Sequence, residues 1–433
     1  MAARLRSLLG IGVLAVGAWA LSVDRRSVPW RIVLWGLGLQ FVFALLILRT
    51  PFGAAVFEVA NDMILAAVGF TLEGARFLFG DLVYHNVPVG TGEPGNGGFV
   101  AEGTQVARTG AFVAFNVLPT IIFFASIMTV LYHLGVMQRI VAGIAWIMRR
   151  TMGTSGAETL SAAGNIFVGQ TEAPLLVKPF VARMTRSELM SVMTGGFATV
   201  AGGVMAAYVG MLAGFFPDIA GHLMAASLMS APAALVVAKL MVPEAGTPAT
   251  AGRSAGRIER PDVNVIGAAA RGASEGLSLA LNVGAMLLAF LAMIALLNAA
   301  LGWVGGLVGL EGLTFEGILG WLLAPVAWLM GVTWEDAATV GSLMGLKTVA
   351  TEFVAFLGLA GEMADGSLSA RSATIAAYAL SGFANFASIA IQIGGIGGIA
   401  PSRREDLARL GLRAMIGGSI AAFMTAAIAG VLI

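Results

Sequence analysis

Apolar stretches close to twenty residues long recur from one end of the chain to the other, separated by short runs rich in Arg, Gly and Pro. A helix of that length matches the hydrocarbon thickness of a bilayer. Spans are read at about 8–23, 32–50, 109–132, 188–214, 219–240, 273–300, 372–398 and 410–433. Two further apolar segments, about 156–182 and 335–360, carry a Thr-Glu pair at their middle and read poorly as simple spans. Residues 53–80 form an amphipathic stretch expected to lie along the membrane surface. The Gly/Pro-rich run 87–103 reads as a polar loop, and 243–262 as a linker rich in Pro, Gly and charge.

Composition agrees. Of 433 residues, 58% are hydrophobic and 11% charged, where a soluble domain carries about a quarter charged residues. The 58 glycines suit helices packed closely in lipid. An outer-membrane barrel would alternate apolar and polar residues instead. The class is an all-α polytopic membrane protein. Net charge is +1, and no basic tract or aromatic RNA motif argues for nucleic acid. With no cysteine, disulfides and thiolate sites are excluded. His85, His133 and His222 are far apart and form no zinc motif.

Suppose the N-terminus lies outside and the two odd segments return to the side they enter from. Then 18 of the 25 basic residues, from Arg25 and Arg26 through Arg149, Arg150, Arg257 and Arg260 to Arg409 and Arg413, face the cytoplasm, as the positive-inside rule asks. Arg4 and Arg6, with the apolar run ending Ala18-Trp19-Ala20, also fit a cleavable signal peptide. Arg25 and Arg26 orient the first span against that reading.

In this topology two acidic residues lie deep in apolar segments, Glu172 and Glu352. A charge at mid-membrane costs at least ~2.5–3.5 kcal/mol, so it persists where it has a partner or a task. The two are related. Thr171-Glu172 is followed by Gly196-Phe197-Ala198-Thr199, and Thr351-Glu352 by Gly382-Phe383-Ala384-Asn385. The fourth, fifth and sixth spans separate the first Thr-Glu hairpin from the second, an odd number of crossings, so the second enters from the opposite face. Inverted repeats with interrupted helices place a transporter's site near mid-bilayer, where irregular backbone must be buried or line a wet cavity.

At these residues the chain resembles the concentrative nucleoside transporter family, as a bacterial sodium-coupled member. The matching blocks are Gly164-Asn165-Ile166-Phe167-Val168-Gly169-Gln170-Thr171-Glu172-Ala173-Pro174, residues 196–202, Glu352-Phe353-Val354-Ala355-Phe356 and residues 378–389. The resemblance implies eight transmembrane helices plus two opposed re-entrant hairpins in an inverted repeat, a homotrimer, and elevator-type import across the inner membrane. By that resemblance Gln170, Thr171 and Glu172 address the nucleobase and Val204 packs against it. Glu352, Asn385 and Ser388 hold the ribose, and Phe383 lines the pocket. Sodium, the coupling ion, is implied between the Asn165 and Thr199 side chains and the Val168 and Val200 carbonyls. The corresponding division is 1–155 N-terminal helices and scaffold, 156–214 first hairpin and broken helix, 215–334 connecting and scaffold helices, 335–398 second hairpin and broken helix, and 399–433 C-terminal helix. One departure is Thr351, where many relatives carry Asn, and it bears on ribose selectivity.

The chemistry stands beside the resemblance. A Gln/Thr/Glu cluster pairs amide-like base edges, and a carboxylate accepts charge-assisted bonds from vicinal hydroxyls. A hard cation takes oxygen ligands, which unwound carbonyls supply. Proton coupling through Glu172 or Glu352 is the alternative to sodium. A carrier for another polar solute, such as a dicarboxylate, is disfavoured by two glutamates repelling an anion. Two Gly-x-Ser-x-Gly matches, at 252–256 and 272–276, follow no strand, and no base or metal set supports an enzyme.

Overall fold

The computed structural model describes residues 2–84, 86–92, 99–110, 112–253, 262–307, 309–310 and 312–433. His85, Arg257, Arg260 and the first Gly-x-Ser-x-Gly serine, Ser254, lie outside the described residues. The chain opens with α1 (Ala2–Ala20), α2 (Trp30–Arg49) and α3 (Pro51–Phe79). Only Thr50 separates α2 from α3. Pro51 has no N–H to continue the first helix, and the Thr50 side chain accepts from Gly53 N to start the second. The stretch expected along the membrane surface is therefore one continuous helix, itself long and apolar enough to cross a membrane.

The run 87–103, read as a polar loop, instead contributes to an antiparallel hairpin of β1 (Asn86–Gly92) and β2 (Phe99–Arg108). Valine and threonine, good strand formers, are spread along both strands, and the register is irregular between Pro88 and Gly90. The strands are the exception to an otherwise helical chain among the described residues. Next come α4 (Leu118–Leu134), α5 (Val136–Met152), α6 (Gly156–Gly164), α7 (Lys178–Val181), α8 (Arg186–Ala198), α9 (Gly202–Leu212) and α10 (Ile219–Met241). The remainder is α11 (Val265–Leu307), α12 (Phe315–Met330), α13 (Trp334–Val349), α14 (Glu352–Ala364), α15 (Ala370–Leu380), α16 (Phe386–Ile399) and α17 (Arg404–Leu432).

Among the described residues eight helical stretches are long and apolar enough to cross a membrane, and the pair α12–α13, bent by 116°, would make nine. They sort into an inner and an outer set. The apolar stretch of α8–α9 is 94% buried and that of α10 is 89%, against 17% for α11 and 11% for α3. The broken helix α8–α9 and its neighbour α10 thus lie in the protein's own core. Long α11 runs along the outside, packed on α4 through Gly272 and Gly276, where a Cβ would stand 2.7 Å from Ala125 O and from Ile122 Cα. The second Gly-x-Ser-x-Gly match lies within this helix, on no strand-to-helix turn.

Four of the short inner helices begin on side-chain caps. Ser155, Thr185, Thr333 and Ser369 each accept from the backbone N–H three residues on. Paired starts lie side by side. Ser155 Oγ donates to Glu188 Oε1 at 2.6 Å, and Ser369 Oγ to Asp336 Oδ2 at 2.7 Å. Into the first pair reaches Lys239 from the end of α10, 2.7 Å from Glu158 and 3.2 Å from Glu244. Glu158 and Glu188 are each 1% exposed, so Glu352 is not alone among buried carboxylates, whereas Glu172, expected deep in an apolar segment, is exposed at the tip. Near the start of α11, Arg271 forks at 2.8 and 2.7 Å onto Asp262, which lies outside the spans, and holds that carboxyl below its usual range.

Removing one partner of a buried ion pair leaves the other charge unpaired. Lys239→Met is expected to cost about 3–5 kcal/mol, read as an earlier thermal unfolding transition of the purified protein in detergent. Adding Glu158→Gln to Lys239→Met should recover most of that loss, because the stranded carboxylate is then gone.

Candidate functional site

The first half of the site is made where α6 ends and α8 breaks. Past Gly164 the chain turns on itself, with the Phe167 and Val168 N–H groups both donating to Gly164 O at 3.0 Å. A second turn follows, with Ala173 N donating to Gly169 O at 3.0 Å before Pro174 enters a short 3-10 helix. This tip seats in the break of the next helix. α8 ends at Ala198, and Gly202 N at the start of α9 donates to Phe167 O at 3.0 Å. The tip is also packed from behind. A Cβ on Gly196 would stand 2.8 Å from Gln170 Cβ, and one on Gly395 would stand 2.6 Å from Thr171 Cγ2.

The second half repeats the plan. Thr351 caps α14, its side chain accepting from Val354 N, which makes Glu352 the first residue of that helix. α15 ends at Leu380, and Asn385 caps α16 by accepting from Ser388 N at 2.8 Å. Within this break Gly382 has φ of 138°, and a Cβ there would lie 2.7 Å from Phe197 O. A side chain is barred twice over, by backbone conformation and by space. The two helix breaks therefore press directly on one another.

Glu352 is held at both oxygens. Tyr208 Oη donates to Oε1 at 2.9 Å, and Asn385 Nδ2 to Oε2 at 2.8 Å. A carboxylate offers about four lone-pair positions, so capacity remains for a ligand. Gln170 is likewise fixed in sense. Gln392 Nε2 donates to Met193 O at 3.1 Å and to Gln170 Oε1 at 3.0 Å, so Gln170 Nε2 is the atom that donates to Ser388 Oγ at 3.0 Å. One N–H of Gln170 and the Ser388 hydroxyl proton are left for a ligand.

A cavity of about 230 Å³ opens at this junction. Gln170, Thr171, Glu172, Val204, Glu352, Phe383, Asn385 and Ser388 all line it, so the structure brings together every residue expected at the substrate. Val168 lines it too, whereas Asn165, Thr199 and Val200 lie behind the tip, 2% exposed or less. Asn165 Nδ2 donates to Ser161 O at 3.1 Å, yet its Oδ1 is buried with no hydrogen-bond partner. Asn165 and Thr199 meet at Gly195: Thr199 Oγ1 donates to Gly195 O at 2.9 Å, and a Cβ on Gly195 would stand 3.2 Å from Asn165 Nδ2. An orphaned neutral oxygen beside a helix break fits a cation.

Several residues of the site escaped the sequence pattern. Tyr208 and Gln392 reach Glu352 and Gln170 across 144 and 222 residues, a separation that no local spacing reveals. Met128, Glu275 and Met286 close the cavity from α4 and α11. Lys347 did leave a signal, a cation in the apolar segment 335–360. It is 1% exposed, and its Nζ donates to Ala379 O at 2.9 Å, one of the carbonyls at the end of α15.

Comparison with known proteins agrees along the whole chain. The sequence profile for "Na+ dependent nucleoside transporter N-terminus" matches residues 9–82, "Nucleoside recognition" residues 114–215, and "Na+ dependent nucleoside transporter C-terminus" residues 222–430. The uncharacterized transporter YutK of Bacillus subtilis is 43% identical over 428 residues, 98% of each chain. Sodium/nucleoside cotransporter 1 of Mus musculus is 42% identical over 99% of this chain, which spans 64% of that protein. Solute carrier family 28 member 3 of Mus musculus is 44% identical over 94% of this chain, which spans 55% of it. The structure of CNTnw in an inward-facing substrate-bound state matches with a TM-score of 0.86 at 42% identity, covering 99% of this chain and 98% of that one. Profiles from end to end, relatives above 40% identity and a shared multi-pass helical architecture show that the chain belongs to the Na+-dependent, concentrative family of nucleoside transporters.

Proposed function

We propose that the chain imports nucleosides across the cytoplasmic membrane, the inner membrane of a bacterial cell, coupled to sodium and by elevator movement of a substrate-carrying domain. The observation that carries this reading is the convergence of two hairpin tips and two helix breaks on one cavity. Residues 156–214 and 335–398 supply its polar floor, while 1–155, 215–334 and 399–433 supply scaffold and connections. The contact of Gly382 with Phe197 and Ala198 supports two opposed hairpins of an inverted repeat meeting at their breaks. Exposed apolar faces on α3 and α11 suit lipid and neighbouring copies in a homotrimer.

Within the cavity Gln170, Thr171 and Glu172 address the nucleobase, and Val204 and Phe383 pack against it. Glu352 and Ser388 take the ribose hydroxyls, with Asn385 orienting the carboxylate. Three carboxylates face the cavity, Glu172, Glu275 and Glu352, which disfavours an anionic solute. Sodium fits the pocket behind the tip, where Asn165 Oδ1 lacks a partner. There the Asn165 and Thr199 side chains and the Val168 and Val200 carbonyls would hold it without a fixed negative charge. The ion would order the tip that presents Gln170 to Glu172, so ion and nucleoside should each raise the affinity for the other by the same factor.

Uptake of labelled uridine and adenosine into proteoliposomes, with and without a sodium gradient, tests the reading as a whole. Glu352→Gln should lose most uridine uptake while the purified protein keeps its oligomeric state. Binding of 2′-deoxy and 3′-deoxy nucleosides should be weaker by about 1–3 kcal/mol per hydroxyl lost, because a polar group of the site is then left unpaired. Normal uptake by Glu352→Gln, or deoxy analogues that bind as well as uridine, would remove the ribose assignment.

The ion is tested by nucleoside affinity across a sodium titration at fixed pH. Affinity should rise with sodium in wild type and respond less in Asn165→Ala and Thr199→Ala. A flat wild-type response would overturn sodium coupling and favour a proton carried by Glu172 or Glu352.

A further inference from the structure

Away from the nucleoside cavity, the junction of α2 and α5 forms an open recess of about 450 Å³ lined by Arg31, Trp35, Trp146, Ile147, Arg150 and Thr151. Two guanidinium groups and no carboxylate are among these residues. Arg31 is already seated. Its Nε and Nη2 donate at 3.0 Å to the Thr151 and Arg150 carbonyls, capping the C-terminal end of α5. Gly153, with φ of 75°, leaves room for this, since a Cβ there would stand 3.1 Å from Arg31 Cζ. The Arg150 side chain has neither a hydrogen bond nor an ion pair to any described residue. Arg31 Nη1 and the whole Arg150 fork are thus free donors.

The rest of the recess is apolar and unburied. Trp35 is 52% exposed, Trp146 57% and Ile147 38%. The opposite face of α5 is committed to the protein, through Met137, Val141, Ala145, Met148 and Met152. Its outer face pairs tryptophan with arginine, the combination that settles where acyl chains meet headgroups. The distribution of basic residues places this end of α2 and α5 on the cytoplasmic side.

We propose that the recess binds one anionic phospholipid of the cytoplasmic leaflet, its phosphodiester between Arg31 and Arg150 and its acyl chains along Trp35, Trp146 and Ile147. Basic pockets between helices on this side take such headgroups, and guanidinium forks match phosphate oxygens in pairs. A zwitterionic headgroup would bring its ammonium group against two like charges. The site also has leverage. α5 joins α4, a wall of the cavity, to α6, which carries the tip, through glycines of positive φ at 135 and 153.

The test is native mass spectrometry of the full chain purified in detergent and incubated with phosphatidylglycerol, phosphatidylcholine or inorganic phosphate. Wild type should retain one phosphatidylglycerol at concentrations where phosphatidylcholine is lost, and millimolar phosphate should not displace it. Arg150→Gln should weaken retention about fivefold, the loss of one basic contact at the surface, and Arg150→Lys should restore much of it. Arg149→Gln removes the same charge one residue away, outside the recess, and should retain the lipid as wild type does. Equal retention of the two lipids, or an equal effect of Arg149→Gln and Arg150→Gln, overturns the site. Displacement by phosphate overturns the lipid in favour of a free anion.

Discussion

A helix interrupted inside a membrane protein exposes N–H and C=O groups that lipid cannot satisfy, and the architecture here follows from answering that demand. Each break is closed either by a cap at the helix that restarts or by a group brought from elsewhere in the chain. Phe167 O takes the N–H of Gly202, and Asn385 and Thr351 cap the helices that restart after their breaks. Lys347 donates to Ala379 O at the end of α15. Closing the breaks in this way draws both hairpins to one point. Glu352 can be buried there because Tyr208 and Asn385 arrive with it.

The inner and outer helices do different work as a result. Core helices α8, α9 and α10 are enclosed by protein, polar residues included, whereas α3 and α11 turn much of their apolar surface outward. Charged residues obey the same division. Lys239, Glu158 and Glu188 are buried only at helix starts and ends, where caps and one another complete them. A buried ion cluster of this kind fixes neighbours more than it adds stability. It ties α6, α8 and α10 together at one end.

Much of this was legible in the chain. Spans such as 219–240 and 410–433 have the length and continuous apolarity that admit one reading, and the paired Thr-Glu and Gly-Phe-Ala stretches announce the repeat. What stayed hidden is physically similar from case to case. Helix α12 is apolar but follows a glycine-rich run and bends by 116° into α13 at residues 331–333, so hydropathy alone gives it no edges. Helix α5 carries Met137, Val141, Ala145, Met148 and Met152 on one stripe with its Arg residues off it, an amphipathic spacing and not the continuous apolarity that marks a span. Tyr208 looks like any aromatic residue in an apolar helix until Glu352 is placed beside it. Buried Glu158 and Glu188 read as ordinary cap residues, because capping boxes are usually wet.

The floor and the walls of the cavity are built to opposite tolerances. Beneath Gln170 and Thr171 there is no slack, since Gly196 and Gly395 leave less than a methyl group's clearance, and Gln392 pins the amide. The same cavity is lined by Met128 and Met286, unbranched side chains with three rotatable bonds that refill space as their neighbours change. Such a chamber is strict about grammar and lenient about silhouette. A solute that presents the wrong donor and acceptor edge finds the Gln170 amide unable to turn and meet it. One that keeps the edge and alters its outline asks only that methionines rearrange, so breadth of substrate and fidelity of recognition are separately adjustable within one small volume.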